Sequence, residues 1–509
     1  MENKGIKNVS KNVFLSIISN IVALLIAFIV RKIFLMKLGS DFVGLNSLFV
    51  NILGILSFAE LGIGVAVTAS LYEPIQQNNS VLLRSYLDFY RKFMNWVAIF
   101  IELAGIIVGL IIPMMIHGHS GFSAIQLWWY FFLFTTASAA SYVLTYKRIL
   151  LTADQNDYLN SLNNLFFKIL IAIFQIIVLI FWESYVLYLV IQITLTLVSN
   201  ISISFKIKHD YPTIFEGKNS EKITPDHFVK LKKNITGMIS AKLGGIILTS
   251  TDNIIISFFL GLSILGKYAN YIMIVSGITL VLNQIFNSLT PTVGNHRFVA
   301  EHRKSSDQLQ LFKRLTVLNY ALVIVASAGF SLFSSIFVKY WLGTKFILPA
   351  DLMIMIVLNF AINQYRQVVI MFMSAYGLFW QQRYKSVIEA VLNISLSLVL
   401  IKFTELGIFS VIFGTLATNI CFNLFWEFYI TKKDAITTIN TKSYFMTYIC
   451  AVMALVLIVY VNSNLVLIYQ NIFSDMTNFL LLAMSFLIET LIFSIFATLF
   501  IKNVNNKYF

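Results

Sequence analysis

Seven of the ionisable side chains inside otherwise apolar segments are the residues of this chain best placed to do chemistry. Four are cations and three are carboxylates: Arg31, Lys168, Lys242 and Arg366, and Glu60, Asp252 and Glu389. An ionised group at membrane depth costs several kcal/mol unless it faces a partner or a water-filled cavity. Four cations would make such a cavity attractive to an anion, and the planar arginine fork matches phosphate oxygens. The sequence therefore predicts a substrate-binding cleft lined by basic residues.

The same residues admit alternative roles. Glu60, Asp252 and Glu389 are expected either to pair with neighbouring cations, within or between halves of the molecule, or to bind a coupling Na⁺ or proton. Arg31 is expected either to face the cavity or to extend to the headgroup region from the end of its span. Lys168 and Glu389 fit a structural pair or a cytoplasmic position as well as a functional role.

No enzyme active site, metal centre or tightly bound cofactor is predicted. The chain has no GxxxxGK[ST] phosphate loop and no readable Ser-His-Asp or Cys-His arrangement. His117 and His119 form an HxH pair without a third ligand nearby, and Cys421 and Cys450 both fall in apolar segments. We therefore expect a protein that binds and moves a ligand. The only ion expected to bind is a coupling Na⁺ or H⁺.

Composition predicts an all-α polytopic membrane protein. Hydrophobic residues make up 58% of the 509, mean hydropathy is +0.81, and charged residues are 12%, against about 25% in average soluble proteins. Fourteen apolar segments are long enough to span a bilayer of about 30 Å as helices. They are residues 12–36, 43–70, 92–115, 124–147, 159–182, 185–206, 235–260, 264–292, 315–341, 350–377, 384–404, 407–430, 443–463 and 476–501.

Charge predicts the orientation in the cell membrane. With the N-terminus in the cytoplasm, 27 of the 37 Lys and Arg residues fall in cytoplasmic segments and 7 in outer turns. The positive-inside rule favours this orientation, and an even number of spans places the C-terminus in the cytoplasm too. The net charge of +14 is thus attributed to topology and contact with lipid headgroups, not to binding a nucleic acid.

An internal repeat divides the chain. The stretch Arg31–Gly44 returns at Asp252–Gly266, with Leu38-Gly39 and Leu260-Gly261 at an offset of 222 residues. Six spans per half give both halves the same orientation, so a parallel repeat about an axis along the membrane normal is predicted. The predicted domains are a six-helix lobe (1–206), a cytoplasmic linker (207–234), a second six-helix lobe (235–430) and two additional helices (431–509).

These motifs resemble the polysaccharide repeat-unit flippases. The run Phe58-Ala59-Glu60-Leu61-Gly62-Ile63-Gly64 is similar to the start of that family, and Thr251-Asp252-Asn253 with Leu265-Gly266-Lys267-Tyr268 is similar to its seventh and eighth helices. The turn Tyr146-Lys147-Arg148, followed by Ala153-Asp154-Gln155, resembles its turn between the fourth and fifth helices. The family shares a superfamily with multidrug and toxic-compound extrusion (MATE) exporters and lipid II flippases.

The resemblance implies a MATE-like, two-lobed fold of twelve helices plus two that works by alternating access. The implied substrate is an undecaprenyl-pyrophosphate-linked oligosaccharide turned from the inner to the outer leaflet for capsule, exopolysaccharide or O-antigen synthesis. A polysaccharide polymerase and glycosyltransferases are the implied partners. It also implies a cavity arginine in the first helix, where Arg31 falls. A multidrug cation exporter and a lipid II flippase of the same fold are the alternatives, with a polytopic polymerase or glycosyltransferase a more distant one.

Overall fold

The computed structural model shows an all-α polytopic membrane protein. It describes residues 2–57, 63–116, 121–154, 156–215, 251–299, 306–376, 378, 381–382, 384–472 and 480–491. Within these ranges the secondary structure is helical, with turns between the helices. The contacts divide the chain into two units, an N-terminal unit of residues 1–266 and a C-terminal unit of residues 267–509.

The helices of the N-terminal unit follow the predicted spans. They are α1 Glu2–Leu38, α2 Ser40–Leu56, α3 Ile63–Gln76, α4 Ser80–Ile111, α5 Ala124–Tyr142, α6 Arg148–Ala153, α7 Tyr158–Trp182, α8 Tyr185–Asp210, α9 Pro212–Phe215 and α10 Thr251–Leu260. The predicted span 43–70 includes most of α2 and the start of α3, whereas the predicted span 124–147 covers α5 and the turn after it, and α6 follows. A buried apolar cluster that includes Leu71, Tyr90, Met94 and Ile207 packs α3, α4, α6 and α8 together.

The next helix, α11, begins at the end of the N-terminal unit, and all the later helices belong to the C-terminal unit. These helices are α11 Leu262–Val299, α12 Ser306–Leu342, α13 Ala350–Tyr365, α14 Gln367–Ala375, α15 Lys385–Phe403, α16 Ile408–Thr418, α17 Leu424–Asp434, α18 Thr441–Ile472 and α19 Leu480–Leu491. A π-helical turn, Asn419–Asn423, joins α16 to α17 without a break in the span. The tenth span is interrupted at Arg366, between α13 and α14.

The predicted spans coincide with helices wherever the structure describes them. Within the described residues, ten helical segments are long and apolar enough to cross a membrane, and Ser40–Leu56, Thr251–Leu260 and Leu480–Leu491 are shorter apolar helices. Several helices extend beyond their predicted bounds: α4 begins at Ser80, where hydropathy gave 92, and α8 continues to Asp210. Hydropathy marks the apolar part of a helix, whereas the backbone hydrogen bonds continue into the polar ends.

The repeated Leu-Gly motif forms the same turn twice. Gly39 separates α1 from α2 with φ 90°, and Gly261 separates α10 from α11 with φ 89°. A side chain is strained in this region of φ, and glycine is not. The first turns of α2 and α11, which follow these glycines, pack closely against each other. A Cβ on Gly44 would lie 2.0 Å from the Leu262 carbonyl oxygen, and a Cβ on Gly266 would lie 2.4 Å from the Ser40 carbonyl oxygen.

Candidate functional site

A cavity of about 340 Å³ lies in the N-terminal unit, between α5, α7 and α8 and the turn that leads into α6. We call it the basic cavity, because two of its lining residues are cations and none of its described lining residues is a carboxylate. Asp157 is not among the lining residues; it interacts electrostatically with Arg148, and no ion pair joins the two in the described part of the chain. Its lining consists of Ala137, Ser141, Thr145, Arg148, Asn164, Phe167, Lys168, Ile171, Gln192, Thr196, Ser199 and Asn200. One sequence-predicted site residue, Lys168, is among them.

Arg148 is held in this cavity by neutral oxygen atoms. Its Nη1 donates to Oδ1 of Asn164 at 2.8 Å, and its Nη2 donates to Oγ of Ser199 at 3.2 Å and to Oδ1 of Asn200 at 3.0 Å. Asn200 is fixed in turn, since its Nδ2 donates to the carbonyl oxygens of Ala140 and Ser141, each at 3.2 Å. Three of the five guanidinium N–H donors are therefore engaged, and the positive charge is not neutralised by these contacts.

A broken helix puts Arg148 there. The chain leaves α5 at Val143, and Leu144 has φ 63°, an uncommon value for a side-chain-bearing residue that redirects the backbone. A short 3₁₀ turn, Thr145–Lys147, then leads into α6, which begins at Arg148 itself. The change of direction places the guanidinium between α7 and α8.

The end of α6 is held by a polar contact with the end of α8. The Tyr211 hydroxyl donates to Oδ2 of Asp154 at 2.5 Å, and Nδ2 of Asn156 donates to the same oxygen at 2.8 Å. Burial, followed by the hydrogen bond to this carboxylate, raises the pKa of Tyr211. The phenol therefore remains a donor at neutral pH and holds α6 in position.

Lys168 lies on α7, one turn after Asn164, and its side chain also lines the basic cavity. Among the residues that the structure describes, no carboxylate forms an ion pair with its ammonium group. Gln192 reaches the cavity from α8 and accepts a hydrogen bond from Nε2 of Gln175 at 3.1 Å. Two cations surrounded by amides and hydroxyls form a site that attracts anions.

Arg31 lies near the same face of α8 but does not line the basic cavity. It interacts electrostatically with Tyr188, one helical turn before Gln192. One turn along α1, the Phe34 ring packs edge-on against Tyr185 and Tyr188, with centroid separations of 5.8 and 5.2 Å. The structure therefore places Arg31 and Lys168 in the same unit, and both lie near α8.

Arg366, in the C-terminal unit, lies in a different environment. Its side chain forms a bidentate pair with Glu427, from Nε to Oε2 at 2.8 Å and from Nη2 to Oε1 at 2.6 Å. Nη1 donates to Oδ1 of Asn419 and, at 3.4 Å, to Oδ1 of Asn363. Arg366 is 5% exposed and Glu427 1%. The arginine fork that was expected to bind substrate is thus occupied by a carboxylate of the same unit.

Glu389 belongs to the same cluster. The Lys385 ammonium donates to Oε1 of Glu427 and lies 3.4 Å from Oε2 of Glu389, while Nδ2 of Asn423 donates to Oε1 of Glu389. Two cations and two carboxylates balance one another, so the cluster has no net formal charge. Both partners seen for Glu389 belong to the C-terminal unit, and its assignment to ion coupling or to pairing between lobes stays a prediction.

The cluster is one end of a longer polar contact between antiparallel helices, which we call the polar ladder. One side is on α15 and the other runs from α16 to α17: Lys385, Glu389, Asn393 and Ser397 face Thr415, Asn419, Asn423 and Glu427. Asn393 donates to Oγ1 of Thr415 at 2.8 Å, and a Cβ on Gly414 would lie 2.4 Å from Oγ of Ser397. Each side repeats every four residues, and this spacing places its members on one helix face.

Besides Arg31, three predicted residues enter neither group. Glu60 and Lys242 lie outside the residues that the structure describes. Asp252 lies in the first described turn of α10 and is partly buried.

Three charged residues of these sites were not among the predicted site residues. Arg148, Lys385 and Glu427 lie at the ends of predicted spans, where charge normally indicates a position in the headgroup region. A signal for two of them was present, since Lys385-Glu389-Asn393 and Asn419-Asn423-Glu427 both repeat every four residues. Arg148 had no such signal, because its partners on α7 and α8 lie 16 to 52 residues away.

Comparison with known proteins identifies the fold. No protein-family model matches the chain, and no curated protein matches it. Among solved structures it is similar to the lipid II flippase MurJ in an inward closed conformation, with 15% identity and a TM-score of 0.63 over 97% of this chain and 99% of that one. It is also similar to an inward-facing multidrug resistance MATE family transporter of the MOP superfamily, with 12% identity and a TM-score of 0.62 over 83% of this chain and 99% of that one.

A third similar structure is a MOP superfamily transporter from Pyrococcus furiosus, described as having a binding pocket of reverse polarity that suggests a different function. Its identity is 12% and its TM-score 0.53, over 84% of this chain and 96% of that one. At these identities the likeness establishes the fold. The chain has the MATE-like polytopic fold found in MOP superfamily transporters.

Proposed function

We propose that this protein is a flippase that moves an undecaprenyl-pyrophosphate-linked oligosaccharide from the inner to the outer leaflet by alternating access. The product would supply capsule, exopolysaccharide or O-antigen synthesis. The basic cavity carries the proposal, because Arg148 and Lys168 line it and no carboxylate is among its described lining residues. In a site of low dielectric constant, two cations attract a diphosphate and repel a lipophilic cation.

The geometry of Arg148 supports binding of a phosphate. Asn164, Ser199 and Asn200 engage three N–H donors and orient the guanidinium plane. The two remaining donors suit phosphate oxygens, and charge-assisted hydrogen bonds of this kind are about twice as strong as neutral ones. Lys168, on the adjacent turn to Asn164, supplies a second charge to the same cavity. The hydroxyls and amides around the cations replace part of the hydration that the headgroup loses on entering the membrane.

The known folds support a lipid-linked substrate over a small drug. The lipid II flippase covers 97% of this chain, whereas the multidrug transporter covers 83%. The difference is comparable in length to 431–509, the region that adds two helices to the twelve. A lipid II flippase would share the pyrophosphate and differ in the attached sugars. Competition for binding between the undecaprenyl-pyrophosphate-linked repeat unit and lipid II therefore distinguishes a repeat-unit flippase from a lipid II flippase.

The proposed setting is the cell membrane, with both termini in the cytoplasm and with a polymerase and glycosyltransferases as partners. The chain binds no nucleic acid in this proposal, and it moves its substrate rather than altering it. A Na⁺ or H⁺ gradient is the proposed source of directionality where substrate supply does not suffice. Asp252 and Glu389 are the candidate coupling residues within the described part of the chain.

Direct binding tests the proposal. Purified wild type is expected to bind undecaprenyl pyrophosphate and not tetraphenylphosphonium, a lipophilic cation. Arg148→Gln and Lys168→Gln should each weaken binding of the pyrophosphate by about tenfold or more, because one charge-assisted contact is worth about 1.5–3 kcal/mol.

Lys206→Gln is the matched control. Lys206 lies on α8 and pairs with Asp210 at 3.2 Å, outside the basic cavity, so pyrophosphate binding should be unchanged. Tight tetraphenylphosphonium binding together with no pyrophosphate binding by wild type would overturn the proposal in favour of a drug exporter.

A further inference from the structure

Glu102 is a carboxylic acid at membrane depth that belongs neither to the basic cavity nor to the polar ladder. It lies in α4, near the middle of the predicted span 92–115, and Leu103, Ile106 and Ile107 beside it are exposed apolar side chains. An ionised group at this depth is costly unless a partner or water compensates its charge. The contacts of Glu102 therefore indicate which form of the carboxyl this structure holds.

The packing of α4 against α5 holds the Glu102 carboxyl. Oε1 of Glu102 lies 2.7 Å from Oγ1 of Thr136, and the same hydroxyl oxygen lies 2.8 Å from the carbonyl oxygen of Phe132. The two helices are close here, since a Cβ on Gly105 would lie 2.6 Å from Oγ1 of Thr135. Glu102 is thus one of the residues that join α4 to α5.

The hydroxyl of Thr136 has one hydrogen and two oxygen neighbours. If Glu102 is ionised, that hydrogen must be shared between the carboxylate and the Phe132 carbonyl, or leave one of them without a donor. If Glu102 is protonated, its O–H donates to Oγ1 of Thr136, and the Thr136 hydroxyl donates to the Phe132 carbonyl. Protonation therefore satisfies both contacts, and the two observed distances favour it.

The second carboxyl oxygen of Glu102 also favours the neutral form. Oε2 is buried and has no hydrogen-bond partner among the described residues. Within the same part of the chain, no Lys, Arg or His forms an ion pair with Glu102. An ionised carboxylate carries charge on both oxygens, so one charged oxygen would remain without a donor. In the neutral acid, Oε2 is an uncharged carbonyl oxygen, for which the missing donor costs less.

The described elements packed against this part of α4 supply no counter-charge for Glu102. α5 contains no Asp, Glu, Lys, Arg or His, and its ionisable residues, Tyr130 and Tyr142, are each six residues from Thr136. The carboxylates of α2 and α3 stand near helix ends, at Asp41 and Glu73. The other charged residues lie towards the start of α4 or in the turn after α5: Arg84, Asp88, Arg91, Lys92 and Lys147.

Helix α5 connects Glu102 to the basic cavity. Thr136 adjoins Ala137, and Ala137 and Ser141 of α5 line that cavity. A change of protonation at Glu102 acts on the packing of α4 against α5, and hence on one wall of the cavity. Because linkage between two binding sites is reciprocal, a ligand that binds the cavity in this conformation also favours the proton.

We propose that Glu102 is a proton-binding site, and that the bound proton holds α4 against the helix that lines the basic cavity. Glu102 is then a coupling carboxyl in addition to Asp252 and Glu389. The proton site depends only on the contacts around Glu102, whereas its link to pyrophosphate binding rests on the proposed flippase function. Release of the proton breaks the contact with Thr136 and weakens pyrophosphate binding.

Infrared difference spectroscopy tests the proton site directly, because a protonated carboxyl and a carboxylate absorb at different frequencies. Wild type at neutral pH should show a protonated-carboxyl band that is missing in Glu102→Gln. Thr136→Val keeps the side-chain shape and removes the hydroxyl, so the band should remain and shift as the carboxyl loses its acceptor. Glu183→Gln is the matched control, since Glu183 pairs with Lys37 at 2.8 Å, and it should retain the wild-type band.

Two spectroscopic results would overturn the proton site. One is a wild-type spectrum without a protonated-carboxyl band that Glu102→Gln removes. The other is a band that Thr136→Val leaves unmoved, because the proton would then not be held by the observed contact between α4 and α5.

The pH dependence of undecaprenyl pyrophosphate binding tests the link to the basic cavity. Glu102→Gln keeps a neutral donor for Thr136 at every pH, so it should bind like wild type at low pH, which also shows that it is folded. From about pH 5 to about pH 9, wild type should lose at least about fivefold more affinity than Glu102→Gln. Ionisation of the lipid itself affects both proteins equally. Parallel pH profiles would overturn the link, whereas failure of wild type to bind the lipid at any pH would refute the flippase proposal and leave the infrared result standing.

Discussion

Two arginines at comparable places in the two halves have opposite surroundings. Arg148 follows the break in the fourth span and donates only to neutral oxygens, whereas Arg366 lies at the break in the tenth span and is neutralised by Glu427. A bidentate carboxylate occupies the donors that a phosphate would need. Arg366 could bind a phosphate only if Glu427 released its guanidinium group. Arg148 is therefore the better candidate for a substrate-binding arginine.

The Arg366–Glu427 pair predicts an unequal effect of two otherwise similar substitutions. Glu427→Gln leaves Arg366 buried without its counter-charge, which costs about 3–5 kcal/mol. Glu389→Gln removes a longer 3.4 Å contact, and Lys385 keeps Glu427 as its partner, so the loss should be smaller. Thermal unfolding in detergent, with yield of folded protein, measures the difference.

A charge-removing double variant provides the check on this prediction. Arg366→Met with Glu427→Gln removes both charges and should recover part of the stability lost in Glu427→Gln, because no uncompensated ion remains. Equal unfolding temperatures for Glu427→Gln and Glu389→Gln would contradict the assignment of the Arg366–Glu427 pair as the dominant contact of the cluster.

Helices and their ends were predictable where local pattern determines them. The Leu-Gly repeat at Gly39 and Gly261 predicted matching turns, and the observed φ values of 90° and 89° agree. Contacts across helices were less predictable. The partners in the polar ladder are up to 42 residues apart, and hydropathy treats Lys385 and Glu427 as flanking charges. Amphipathic spacing identifies their faces, whereas tertiary packing decides which faces meet.

The reciprocal contact at the repeat predicts sensitivity to one methyl group. Gly44→Ala would place a Cβ 2.0 Å from the Leu262 carbonyl oxygen, and Gly266→Ala would place one 2.4 Å from that of Ser40. Both lie below any normal contact distance, so the helices must separate, and overpacking of this kind costs about 1–3 kcal/mol or more. Unfolding temperature and expression level should fall in both variants.

Gly121→Ala is the matched control for that contact, since no heavy atom lies within 4 Å of its added Cβ. Its unfolding temperature should match that of wild type. Wild-type stability of Gly44→Ala and Gly266→Ala would show that α2 and α11 do not approach as closely as the structure indicates.

At the scale of the whole molecule, composition predicted a multi-pass helical protein, and the described helices confirm it. The MATE-like fold followed from a resemblance in motif order and is supported by the solved structures. The substrate-binding residues were predicted less well. Charge at depth pointed to Lys168, but the function of a cation depends on its partners. Arg366 is neutralised by the carboxylate of Glu427, whereas the hydrogen-bond partners of Arg148 are neutral. Hydropathy contains no information about which residues these partners are.

The proposed orientation predicts which turns a membrane-impermeant reagent reaches. In a background without Cys421 and Cys450, Lys345→Cys should react with an impermeant maleimide in intact cells, because it lies in a predicted outer turn. Lys208→Cys, near the end of α8, should react after the membrane is opened and not before. Reaction of Lys208→Cys but not of Lys345→Cys in intact cells would contradict the predicted orientation.

Transport between leaflets tests the central claim most directly. Proteoliposomes would contain a fluorescent undecaprenyl-pyrophosphate-linked sugar, and a membrane-impermeant quencher would report how much label reaches the outer leaflet over time. Wild type should increase the rate at least tenfold over protein-free liposomes, while Arg148→Gln/Lys168→Gln should give less than a tenth of the wild-type increase, because each lost contact weakens headgroup binding. Lys206→Gln should match wild type. A wild-type rate equal to that of protein-free liposomes, or a double variant as fast as wild type, would contradict the account.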